Sequence, residues 1–260
     1  MNGLLTALRV ELLKFRLAPL VWLTTLSLVL LVPLISVGGY VLASTAPGTP
    51  TALKAQALMH GAGWEALYSL AAQVVAPALG LGVGTVASWC AGREFTEQTV
   101  VGLFAQPVPR AHIALAKALI TLGWAAVLSL LAVGLVLLGG VLSGLTLHGS
   151  LPGAWKLLVM AVLVAVSMLP AAYVASAARG YLPGIGAVLG ITVVSQFATA
   201  LGGGAWVPWA APALWAGIAG PVIAAQVSPL QLLLPALVGT LSIGALLHWW
   251  QYAELGNTRD

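Results

Sequence analysis

Charged residues make up only 6% of this 260-residue chain, while 60% of its residues are hydrophobic. Soluble domains carry about 25% charged and roughly 45–50% apolar residues, so a soluble globular fold is excluded and an integral membrane protein is indicated. Cysteine occurs once, at Cys90, which rules out an intrachain disulfide. Its place at the end of an apolar run fits a small buried hydrophobe. The six acidic residues all lie outside the long apolar runs or at their edges. Ion-coupled pumps usually hold carboxylates within the bilayer, where they are costly and functional, so coupling to an ion gradient through this chain alone is disfavoured. Catalytic patterns are missing too: there is no His-Glu-x-x-His, no Cys-x-x-Cys and no Gly-x-Ser-x-Gly, and the histidines are scattered. Without a Walker A loop the chain cannot hydrolyse ATP by itself. Any uphill work would draw its energy from a partner. The net charge of +4 is modest and its positive residues flank apolar runs, which sets nucleic acid aside.

What is abundant is apolar length. A helix needs about 20 mostly apolar residues to cross a bilayer, and six such runs use nearly all of the chain. The expected fold is all-α, a polytopic membrane protein with six transmembrane helices over residues 20–41, 66–91, 118–142, 156–178, 182–201 and 230–247. Ahead of them, Leu5, Leu8, Leu12 and Phe15 recur at spacings of three and four, with Arg9, Lys14 and Arg16 among or after them. This reads either as an N-terminal interfacial amphipathic helix or as a basic flank that orients the first span. The first run exceeds the about 7–15 residues of a signal h-region, so it is expected to be retained, with a kink at Pro33. Residues 44–64 read as an outside loop in which His60 has no second ligand at metal spacing and is solvated.

In the second span Ala72, Ala76, Gly80, Gly84 and Ser88 fall at intervals of four, a stripe that lets helix backbones approach closely. Gly80, Gly82 and Gly84 are not a nucleotide loop, since no Lys-Ser/Thr follows them. A second outside turn is expected at 143–155, a bend at Pro170, a tight turn at Arg179-Gly180, and Gly186 and Gly190 four apart on the fifth span. Residues 202–229 place Trp206, Trp209 and Trp215 among Pro208, Pro212, Pro221 and Pro229. They are too broken for a span and too apolar for a loop. Broken interfacial half-helices are expected there, a substrate portal being the alternative. His248, Trp249, Trp250 and Tyr252 read as an interfacial anchor, and 254–260 as a polar tail.

Orientation follows from the basic residues. With both ends inside, Arg9, Lys14, Arg16, Arg93, Arg110, Lys117, Arg179 and Arg259 are cytoplasmic and only Lys54 and Lys156 are outside, the asymmetry of the positive-inside rule. Within the spans the polar groups are few and neutral, chiefly Gln73, Thr85, Ser88, Ser129, Ser167, Tyr173, Ser195 and Gln196. They read as cross-helix packing glue. If the spans enclose a path, Gln73, Ser195 and Gln196 are its candidate lining, and so little polarity suits an amphiphilic or apolar cargo.

Residues 92–117 are the one place where several charges, a short amphipathic segment and two prolines lie between long apolar runs. Glu94 and Glu97 are expected in the first turn of a short helix, where the dipole favours negative charge, with Val100, Val101 and Phe104 on one apolar face. Gln106-Pro107 ends it. Gly102 weakens it by about 1 kcal/mol relative to alanine, so a fixed partner would help to hold it. Arg93, Arg110 and Lys117 either serve this segment or anchor span ends at the headgroups.

The run Gly92-Arg93-Glu94-Phe95, then Thr99, Gln106-Pro107-Val108, Arg110 and Lys117, resembles the permease subunits of type 2 ATP-binding-cassette (ABC) exporters, the class that includes bacitracin-type and lantibiotic self-protection systems. The basic N-terminal helix, the six spans and the broken Trp/Pro segment extend the resemblance over most of the chain. Pro109 departs from it, standing where a small polar residue is more familiar. The resemblance implies a single transmembrane permease domain over 1–260, paired with a second permease chain, identical or not, and with cytoplasmic ABC ATPase subunits that bind ATP and Mg. It implies that residues 94–104 form a coupling helix, with Arg93, Glu94, Phe95, Glu97, Thr99, Val101, Phe104, Arg110 and Lys117 passing ATPase movement to the spans. No catalytic residue, metal or cofactor is expected in the chain itself. A structural or assembly factor fits the same six spans, and a membrane enzyme would need a catalytic set that the sequence lacks.

Overall fold

The computed structural model describes residues 3–254. The polar tail beyond 254, with the Arg259 counted above, lies outside the described residues. Helix α1 (Gly3–Leu17) stops at Ala18, in extended conformation ahead of Pro19, and α2 (Pro19–Thr45) starts with that proline at its first turn, where its missing N–H costs nothing. Pro33 lies inside α2. The residues expected to form an outside loop contain a helix, α3 (Pro50–Leu58). Its Thr49 side chain accepts from the Ala52 N–H, and Pro50 opens it, so Thr-Pro was the available signal.

The remaining spans are α4 (Trp64–Thr96), α6 (Arg110–Leu142), the pair α7 (Ser150–Ser167) and α8 (Pro170–Ala177), α9 (Tyr181–Ala200) and α12 (Pro229–Tyr252). With α2 these give six helices or helix pairs long and apolar enough to cross a membrane, the polytopic all-α fold expected. The fourth span breaks outright before Pro170 rather than merely bending. A helix of five residues, α5 (Val100–Phe104), sits between α4 and α6. Residues 202–229 form a single 3-10 turn at Gly204–Trp206 and two short helices, α10 (Ala211–Ala216) and α11 (Pro221–Gln226). Ser228 then caps α12 in a capping box with Gln231, each side chain answering the other's backbone N–H.

Helix α4 is the centre of the fold, buried along most of its length and packed on α2, α7, α8 and α9. The small-residue stripe does this work. A Cβ on Gly84 would overlap Val188 of α9, and one on Gly184 would overlap Ser88, so the two backbones meet where neither carries bulk. Gly186 and Gly190, by contrast, face open space. Cys90 is buried beside Phe15, Ala18, Val21 and Val86, as its apolar setting suggests. Ser88, Ser129 and Ser167 do not act across helices: each hydroxyl donates to a carbonyl three or four residues back in its own helix.

The spans run between two ends of different make-up. One, the charged end, gathers α1, the turn around α5, the Arg179 turn and the last turn of α12. The opposite end holds α3, the 143–149 turn and the broken segment.

Candidate functional site

At the charged end α4 runs through Arg93, Glu94 and Phe95 to Thr96. Glu94 is therefore in the last turn of a span and not in the first turn of a coupling helix, which corrects the expectation from sequence. Gln98 takes a left-handed conformation (φ 57°), and the Thr99 N–H reaches back to the Glu94 carbonyl at 2.9 Å. That pairing closes a helix as a Schellman motif does. The short helix that follows is Val100–Phe104 alone.

A carboxylate at a helix C-terminus opposes the helix dipole, so Glu94 requires cations, and the fold supplies them from three elements. Lys117 Nζ of α6 lies 2.7 Å from Glu94 Oε1 and 2.8 Å from Glu11 Oε2 of α1. Lys14 Nζ lies 2.7 Å from Glu11 Oε1 and 3.4 Å from Glu94 Oε1. Arg93 Nε is 3.3 Å from Glu94 Oε1, while its guanidinium carbon stands 4.5 Å over the Trp89 ring. Glu11, Glu94 and Lys117 are 6%, 3% and 4% exposed, so two carboxylates and one ammonium form a buried centre, with Lys14 and Arg93 at its partly exposed edge. Glu94 Oε2 is left without a partner. The network fastens the N-terminal helix to the second and third spans.

Glu11 escaped the sequence analysis. The stripe Leu5, Leu8, Leu12 and Phe15 was expected to lie on the leaflet, and Leu5 and Leu12 are exposed as that needs; the buried residues are Ala7, Glu11 and Phe15, a second stripe that faces the spans. The missed signal is a lone carboxylate at a four-residue interval on that second stripe, three residues before Lys14.

A second cluster sits beside the first. Phe95 meets Trp249 and Trp250 edge-on at 5.5 and 5.8 Å, and Phe104 meets Trp250 at 5.7 Å, separations typical of favourable aromatic pairs. The Arg110 guanidinium lies 4.1 Å over the Phe104 ring and donates to the Ala253 carbonyl at 2.9 Å. Trp250 Nε1 donates to Ser176 Oγ at 2.9 Å. Trp250 is wholly buried, so it is a core residue and not the interfacial anchor expected; Tyr252 and His248 remain exposed.

These contacts sort the sequence-predicted residues into two groups. Arg93, Glu94, Phe95, Phe104, Arg110 and Lys117 turn inward to the spans. Glu97, Thr99 and Val101 are exposed. Val101 and Phe104 therefore do not share an open face. In so short a helix Val100, Leu103 and Phe104 turn toward the protein, and Val101, 66% exposed, is left outside.

Deeper in the spans, Gln73, Ser195 and Gln196 come together on one cavity of about 210 Å³ between α4, α9 and α10. Gln73 Nε2 donates to the Leu58 carbonyl and Ser195 Oγ to the Ile191 carbonyl. Trp209, expected in a headgroup belt, instead borders this cavity and donates to the Ser167 carbonyl at 2.6 Å. Among the described residues, no three His, Cys, Asp or Glu side chains gather as a metal site would need.

A family model described as ABC-2 family transporter protein matches residues 7–198. The match begins within α1 and ends within α9, and so spans the ion network, α5 and the start of the cavity-lining segment. No curated protein matches the chain.

Proposed function

Because the chain belongs to the ABC-2 family of transporter proteins, and is thus a multi-pass permease component of an ABC transporter, we propose that it exports an amphiphilic or apolar cargo with energy from a separate ATPase subunit. A peptide antibiotic or a lipid-like molecule, as in bacitracin and lantibiotic self-protection, is the cargo class in view. The ATPase binds ATP and Mg at the charged end, which is cytoplasmic together with both termini by the distribution of Lys and Arg. A second permease chain, identical or homologous, completes the path.

The observation that carries this reading is the tip at residues 96–107, exposed at Glu97, Thr99 and Val101 and yet tied to the spans from behind. A push on α5 passes through Phe104 to Trp250 of α12, and through the α4 end to Lys117 of α6 and Glu11 of α1. Closing of the ATPase pair on ATP thus moves several spans together. The cavity holding Gln73, Ser195 and Gln196 lies on α9, where such a movement would open or close a sparsely polar path.

Val101→Asp tests the docking half of the proposal. It places a carboxylate on the exposed tip without touching Trp250, so the folded permease should be recovered at wild-type levels. Association with a co-expressed ABC ATPase should weaken by about thirtyfold, the equivalent of about 2 kcal/mol for a charge placed in an apolar contact. Equal copurification of the ATPase with wild type and variant would overturn the assignment of this tip. No copurification with either would favour a structural or assembly factor.

A further inference from the structure

At the end opposite the ion network, the first turns of α4 and α7 meet α10 and α11 around a cavity of about 370 Å³, a volume in the roughly 300–1,000 Å³ range of small-molecule sites. His60 lies half-buried on its wall rather than solvated. Ser69 also lines it, with its hydroxyl donating to the Ala66 carbonyl, whereas Tyr68, Lys156 and Glu65 each lack a hydrogen-bond or ion-pair partner among the described residues. Tyr68 is 7% exposed, and its hydroxyl is buried with no hydrogen-bond partner. Its ring is held by stacking on Trp64 at 5.3 Å, and the absence of a side chain on Gly153 makes the room for it. Lys156 is half-buried with its ammonium 5.2 Å over the Trp215 ring. Glu65 stands at the exposed rim. Lys156 and Glu65 line one cavity yet form no ion pair, either with each other or with another described residue. Opposite charges in one pocket that stay apart suit a ligand that carries both signs itself.

The setting narrows the ligand further. Lys156 is the seventh residue of α7, about 9 Å along the helix at 1.5 Å per residue, with Trp155 beside it in sequence, Trp64 on the cavity wall and Trp215 under its ammonium, residues that favour headgroup depth. On the neighbouring face of α7, Trp155, Leu158, Val159 and Val162 form with Leu130 of α6 a wholly apolar groove of about 290 Å³. A charged pocket beside an apolar groove on one helix is the shape of an amphiphile.

We propose that this cavity is a lipid site for a zwitterionic head group bearing a phosphodiester and a primary ammonium. The phosphate meets Lys156 and the Tyr68 hydroxyl, the ammonium meets Glu65, and an acyl chain follows the α6–α7 groove. The site is separate from the proposed export path, and its test does not depend on transport. Native mass spectrometry of the purified chain with phosphatidylethanolamine, phosphatidylcholine, phosphatidylglycerol and inorganic phosphate reads binding directly.

Phosphatidylethanolamine should bind more tightly than the other lipids, and Lys156→Gln should weaken it by about tenfold, as loss of one charge-assisted hydrogen bond does. Glu65→Gln should erase the preference over phosphatidylcholine. Tyr68→Phe, which keeps the stacked ring, should cost a fewfold, and Lys54→Gln, a cation outside the cavity, should cost nothing. The lipid-induced rise in Tm should follow the same order. Equal binding by wild type and Lys156→Gln would overturn the site. Phosphatidylglycerol binding as well as phosphatidylethanolamine would overturn the role of Glu65, and saturation by inorganic phosphate without lipid preference would overturn the lipid.

Discussion

The two ends of the molecule are built on opposite plans. At the charged end, side chains from α1, α4, α5, α6 and α12 are bound to one another by ion pairs and edge-on aromatic contacts. At the opposite end, short helices and turns surround a cavity in which the Tyr68 hydroxyl is buried without a partner and Lys156 and Glu65 form no ion pair with any described residue. Backbone conformation divides the same way. Among the described residues, every positive φ at the opposite end belongs to glycine, at Gly48, Gly61, Gly63, Gly144, Gly149, Gly202, Gly217 and Gly220. At the charged end the two positive φ values belong to Gln98 and Arg179, where a side chain is kept despite its steric cost. On the function proposed above, the first end is where ATPase movement would enter the spans, and the second is where the proposed lipid would be held.

The largest way to break this contrast is to empty the centre of the network. Lys117→Met leaves Glu11 and Glu94 buried with too few cations, and removing one partner of a buried pair typically costs about 3–5 kcal/mol. The variant should melt well below wild type in detergent. Combining it with Glu11→Gln and Glu94→Gln removes the stranded charges and should recover most of the loss in Tm, but not transport, since α1 is then no longer fastened to α6. A stable Lys117→Met single variant would show that the charged end is not held by these pairs.

A smaller effect separates two glycines. On Gly92, a Cβ would lie 2.5 Å from the Tyr181 backbone nitrogen and 2.6 Å from the Gly180 carbonyl carbon, so the end of α4 touches the Arg179 turn backbone to backbone. Gly92→Ala should cost about 1–3 kcal/mol, the usual range for overpacking. Gly186→Ala, which meets nothing within 4 Å inside α9, should leave Tm unchanged or slightly raised, since alanine is the better helix former. Equal effects from the two substitutions would remove the claim that close contact at the charged end explains the Gly-Arg-Glu-Phe glycine.

What could be read in advance was whatever depends on local runs. Six spans follow from apolar length, an irregularity at Pro170 from proline chemistry, though as a bend and not a break, and the packing face of α4 from a four-residue interval of small residues. What could not be read depends on distant partners. Glu11 gains its meaning from Lys117, 106 residues away, and Trp250 from Ser176, 74 residues away; until those meet, one looks like a surface charge and the other like a headgroup anchor. The boundary between α4 and α5 was misplaced for the same reason. Glu94 at the start of a helix satisfies the dipole by itself, whereas Glu94 at the end of one is tolerable only with Lys14, Arg93 and Lys117 beside it. Gln73, Ser195 and Gln196, the candidate path lining, fall on one cavity. Nothing in their spacing reported that α4 and α9 would bring them together.

The smallest effect tests the backbone division itself. Gln98 holds φ at 57° and uses its side chain, whose Nε2 donates at 3.0 Å to the Phe95 carbonyl, which also accepts from the Gln98 backbone N–H at 3.3 Å. Gln98→Gly relieves the left-handed strain but loses the side-chain bond and adds freedom to the unfolded chain. These terms are each about 1 kcal/mol or less and of opposite sign, so Tm should move little. The reverse exchange at the other end has no such balance. At Gly149, where φ is 79° and nothing lies within 4 Å of an added Cβ, Gly149→Gln adds left-handed strain without the turn-closing contact that Gln98 makes and should cost about 1 kcal/mol. Thermal melts of the two variants in the same detergent decide the matter. If Gln98→Gly proves as costly as Gly149→Gln, then Gln98 holds more than the turn, and the exposed tip beyond it depends on that one side chain for its position.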